Sequence, residues 1–98
     1  MFTPYSAIVE SVTTTGTVYS LPVDSNNINL YKAMLVTNTG TENVYVNLGD
    51  SSVVYNKATS ICILPGVALM LSRGQTTHVA IATASSTSEI NFVLGIDN

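Results

Sequence analysis

The sequence predicts an all-β fold: a compact antiparallel β-sandwich, Greek-key or jelly-roll-like, of seven to nine short strands. Three observations predict it. Apolar and polar residues alternate with a period of two through several short runs. No segment carries a sustained i, i+3, i+4, i+7 apolar stripe, helix formers are scarce and β-branched residues abundant. Turn-forming clusters fall between the runs, so strands recur about every 8–12 residues, as in sandwiches and barrels.

Taken in order, residues 7–12 and 17–21 read as strands separated by Thr13-Thr14-Thr15-Gly16. Residues 22–29 form a polar loop. Residues 32–37 and 43–48 are the next strands, joined as a hairpin by Asn38-Thr39-Gly40-Thr41, with Gly40 able to take positive φ. In the second of this pair Val44, Val46 and Leu48 share one face, and Asn43, Tyr45 and Asn47 the other. Residues 59–64 and 67–72 flank Pro65-Gly66, a pair suited to a type II turn. Val67, Leu69 and Leu71 alternate there with Ala68, Met70 and Ser72. After Arg73-Gly74-Gln75-Thr76, Val79 and Ile81 alternate with His78, Ala80 and Ala82. A last turn, Ala84-Ser85-Ser86-Thr87, leads to a strand with Ile90, Phe92 and Leu94 on one face. Residues 7–98 thus form a single β-sandwich domain. Residues 1–6 lie outside the strand pattern as an N-terminal arm. Phe2, Pro4 and Tyr5 make it apolar enough to anchor in a neighbouring subunit, or to fold back over its own core.

Charge narrows the partners. Of 98 residues 46% are hydrophobic and only 9% charged, with a net charge of −3. Lys32, Lys57 and Arg73 are the only Lys and Arg residues. Gripping a nucleic acid takes several cations on successive phosphates, and an anionic membrane takes a polybasic cluster, so neither partner is expected. The N-terminus has neither a basic nor an apolar leader segment, and no apolar run is long enough to span a bilayer as a helix. Cys62 is the single cysteine, so no intramolecular disulfide exists; between Ile61 and Ile63 it reads as a small buried hydrophobe.

Catalytic signatures are missing. One histidine and one cysteine cannot make a zinc motif. No nucleophile elbow, dinucleotide-binding glycine pattern or phosphate loop occurs. His78 is the sole imidazole, nothing in the sequence pairs it with a nucleophile, and it reads as a rim residue. The six acids fall at turns or outward strand positions. Asp24, Asn26, Asn27 and Asn29 share one loop and could offer oxygens to calcium. The twelve-residue loop with its closing Glu is absent, however, and Asp and Asn favour turns for their own reasons. The chain is therefore expected to be no enzyme and to use no metal or cofactor. Tyr31 and Tyr45 join Phe2, Pro4 and Tyr5 as candidate partner contacts, because tyrosine is rigid and amphipathic. Exposed tyrosines also stack on sugars, so a carbohydrate- or receptor-binding module is the alternative.

The pieces Asn38-Thr39-Gly40, Val44-Tyr45-Val46, Gly49-Asp50, Leu64-Pro65-Gly66, Thr77-His78-Val79-Ala80 and Leu94-Gly95 together resemble small structural proteins of tailed bacteriophages. The resemblance runs from about Met34 to Gly95 and rests on turn and strand motifs. It implies a virion component assembled in the host bacterial cytoplasm: a multi-copy capsid decoration (cement) protein, a head-fibre base or a tail accessory protein. It further implies a homo-oligomer, a trimer by preference, with the major capsid protein or other virion proteins as partners. It brings no catalytic residues. The chain departs from the longer fibre proteins of such phages in lacking a second domain and a stalk, which favours a compact decoration role. As an alternative the resemblance admits the binding module of a phage fibre or tail.

Overall fold

A computed structural model describes residues 2–21, 32–56, 58–74 and 76–97. Eight strands appear: β1 (Phe2–Val12), β2 (Thr17–Ser20), β3 (Ala33–Asn38), β4 (Val44–Gly49), β5 (Ile61–Ile63), β6 (Ala68–Ser72), β7 (His78–Thr83) and β8 (Ser88–Asp97). They build two four-stranded antiparallel sheets, ordered β1-β8-β3-β6 and β2-β7-β4-β5. The expected all-β sandwich is what the chain forms, with no helix among the described residues.

The strand order has a simple logic. β1 pairs with β8, β2 with β7, β3 with β6 and β4 with β5, as if one long hairpin had been rolled up. Lateral pairing of β3 with β8 and of β4 with β7 then completes the sheets. Each link except β4–β5 crosses from one sheet to the other. This is the jelly-roll form of the β-sandwich. It corrects one expectation: β3 and β4 are no hairpin, because Asn38-Thr39-Gly40-Thr41 arches between sheets.

The alternation explains what fills the space between the sheets. Met34, Val36, Ile90, Phe92 and Leu94 face inward from one sheet, and Val44, Val46, Ile63, Val79 and Ile81 from the other, all buried. Val67, Leu69 and Leu71 pack on this core as partly buried neighbours. Removing the Phe92 ring would cost about 3–5 kcal/mol, the usual penalty for a large core truncation.

Two turns follow their residues. Leu64-Pro65-Gly66-Val67 is a β-turn closed by the Val67 amide on the Leu64 carbonyl (3.1 Å), with Gly66 at φ 77°. Gly40, by contrast, is not at positive φ. It is required by close approach: a Cβ there would collide with Ser88 Oγ and the Glu89 amide nitrogen.

Residues 2–6 are not a separate arm. They continue β1 and pair with the end of β8, Phe2 opposite Asp97 and Pro4 opposite Gly95. A register break between Pro4 and Ser6 leaves Tyr5 bulged. The proline is tolerated because β1 is an edge strand, where a missing N–H breaks no ladder bond on the free side.

Candidate interaction surface

The two sheets differ in what covers their outer faces. On the β2-β7-β4-β5 sheet, the β4–β5 connection folds back over the strands. The Tyr55 ring meets the Tyr45 ring at 5.9 Å between centroids, tilted by 51°. Asn47 Nδ2 donates to the Val54 carbonyl (3.0 Å). Ala80 and Ala82 on this face are consequently fully buried, lying beside Asn47 and Tyr45 in the register.

Among the described residues no such cover lies over the β1-β8-β3-β6 sheet. Register places Ala7, Val93, Leu35 and Met70 side by side in one row across all four strands. Val9, Asn91, Thr37 and Ala68 form the next row. Val9 is 57% exposed and Met70 47%. Neither row contains a charge. Glu89 stands beyond them at one end of the face, where Thr39 Oγ1 donates to its Oε1 (2.8 Å). Asn91 sits mid-row with its Oδ1 buried and without a hydrogen-bond partner.

The expected contact residues scatter. Tyr5 is exposed (58%) at the bulge and Pro4 is exposed beside it, while Phe2 is half-buried. Tyr45 does point away from the core, but it lies half-buried against Tyr55 on the other sheet, far from the Tyr5 group in the strand order. Tyr31 lies outside the described residues, as does the loop of Asp24, Asn26, Asn27 and Asn29. Cys62 is exposed rather than buried: opposite Tyr45 in the register, it shares the outward face, and Ile63 takes the core position. Single-sequence reading missed the two-row face because its members come from four distant strands and join only through register.

His78 does meet a hydroxyl. Its Nε2 lies 3.3 Å from Ser20 Oγ across the β2–β7 pair, and its Nδ1 lies 2.8 Å from Thr77 Oγ1. A serine nucleophile needs a base whose ring is held by a third, acidic group, and the group at Nδ1 here is a neighbouring hydroxyl. Asp50 is held below its usual carboxylate range, chiefly by the Ser52 hydroxyl and then by the Ser52 amide, both bonded to Oδ1. Arg73 is buried at the β6–β7 turn; Nε donates to the Thr76 carbonyl (3.2 Å), and burial lowers its pKa. Among the described residues no three His, Cys, Asp or Glu side chains cluster as metal ligands would. No helix among them is long and apolar enough to cross a membrane.

Comparison with known proteins finds no matching family model, no matching curated protein and no matching solved structure.

Proposed function

We propose that the chain is a structural protein that acts by packing against other protein surfaces, as a multi-copy decoration protein on the capsid of a tailed bacteriophage. One observation carries the reading: a four-stranded sheet face with two uncharged rows, exposed along both edge strands and half-buried between them. Interface cores are depleted of charge in this way. Exposed apolar patches of a few hundred Å² on a soluble chain mark contact sites. Two further points support the setting. The turn and strand motifs resemble tailed-phage structural proteins, and jelly rolls are a recurrent fold of viral capsid domains. A coat protein also gains from repetition, since weak contacts to several subunits multiply.

The test is mass spectrometry of purified particles from the source, read as copies per particle. Hundreds of copies are expected. Absence from particles would overturn the reading, and about a dozen copies would move the chain to a tail or vertex. A glycan array probes the sugar-binding alternative, which Tyr5, the most exposed of the described tyrosines, keeps in play. Specific glycan binding abolished by Tyr5→Ala would favour that alternative.

A further inference from the structure

We propose that two copies of this chain pair face to face through the outer surface of the β1-β8-β3-β6 sheet. The inference rests on the reading of the chain as a protein-contact module, but not on any virion.

The edges of the sheets are already blunted. β1, the longest edge strand, carries Pro4, a bulge at Tyr5 and Glu10 aimed inward. Those are devices that stop a strand edge from templating another chain. The other three edge strands, β6, β2 and β5, are only 5, 4 and 3 residues long. Short edges offer little to an added strand. One outer face is covered by the Tyr55 connection, so the other face, uncovered among the described residues, is where a partner fits.

Charge selects the second copy as that partner. A two-fold contact sets a surface against itself, so every charge within it meets its own kind or lies close to it. The chain is acidic, with a net charge of −3, yet the two rows of this face hold no charge: Glu89 stands beyond them at one end, and Asp97 falls beyond them at the other in the β8 register. Two acidic chains therefore approach each other at least electrostatic cost through it.

The area fits a weak contact. Strand spacing and rise, with β6 and β3 only 5 and 6 residues long, give a footprint of roughly 20 Å by 18 Å, about 350 Å² on each copy. The pair would bury about 700 Å², below the standard size of a specific interface, which implies a weak dimer. Twisted sheets stack about 10 Å apart with strands crossing at about 30°, a geometry open to two identical faces. An isologous contact closes at two, in contrast to the trimer implied by the phage resemblance.

Sedimentation equilibrium on the purified full chain, over a dilution series centred on the micromolar range, decides it. The mass should rise from that of the 10.4 kDa monomer to its double with a micromolar midpoint. Val9→Lys with Met70→Lys should raise the midpoint at least tenfold, and Val54→Lys, an exposed position on the β4–β5 connection, should leave it unchanged. If the lysine pair unfolds the chain, Val9→Ser with Met70→Ser should weaken the dimer without adding charge. A monomer at every concentration, a trimer, or a dimer indifferent to both pairs would overturn the proposal. None of those results would alter the copy number measured on particles, so the two readings fail separately.

Discussion

Asn38 uses its whole side-chain hydrogen-bonding capacity in a buried site. Nδ2 donates to the Glu42 carbonyl (2.6 Å) and the Ile63 carbonyl (2.8 Å), while Oδ1 accepts from the Gly40 amide (3.0 Å) and Ser88 Oγ (2.9 Å). Its backbone also bonds the Pro65-Gly66 turn, through Val67 O and Gly66 N. One side chain thus ties the β3–β4 arch to β5 and β8. Asn38→Ala would strand several buried polar groups and is expected to cost about 3 kcal/mol. In a domain of this size that lowers the Tm by roughly 10–20 °C, measurable by calorimetry. The sequence marked Asn38 as a turn residue, which is right but incomplete. Its partners lie up to 50 residues away, and local pattern holds no trace of them. Asn91 presents the opposite case. Its Oδ1 lacks a partner, so Asn91→Val should stabilise the isolated chain by about 1 kcal/mol, since removing an unpaired buried acceptor removes its desolvation cost. Chemical denaturation checks this; a marked loss of stability would mean that the amide is bonded.

At the scale of elements, β1 and β2 meet at an open side of the sandwich. Glu10 lies opposite Ile90 and Tyr19 opposite Val79, so both point between the sheets. There the Tyr19 hydroxyl faces the Glu10 carboxylate, which draws on it by charge and as a hydrogen-bond acceptor. Burial, then the Glu10 charge and this bond, raise the Tyr19 pKa above 10.0. A raised pKa favours the protonated phenol in the folded chain. The stability it contributes is therefore full below about pH 10 and lost as pH rises through the higher folded value. Tyr19→Phe should flatten that alkaline decline in a pH series of thermal melts, and an unchanged slope would place the effect elsewhere. The start of β1 depends on a second close approach, because a Cβ on Gly95 would collide with the Thr3 carbonyl. Gly95→Ala should release residues 2–4 from β8 while residues 6–12 stay paired, seen as faster amide exchange at that end alone. The period-two pattern located the strands after β1 to within a residue or two, save that β8 runs on to Asp97, three residues past the alternation. β1 was cut short because Pro4 and the Tyr5 bulge interrupt its alternation, and a proline reads locally as an ending.

For the molecule as a whole, class was legible and wiring was not. Inward-facing alternation demands two packed sheets whatever the order, since each strand looks the same beside any neighbour. Strand order comes from the sum of pairings, and only that order assembles the rows of Val9 and Met70. The surface on which the functional reading rests was accordingly invisible in the sequence, although its ingredient, a chain poor in charge, was plain. Hydroxyl-radical footprinting of the chain in its native assembly, against the same chain free and dilute, tests the central claim most directly. The account predicts that Met70 and Val9 become protected on assembly while Val54 stays reactive. Equal labelling of Met70 in the two states would contradict it.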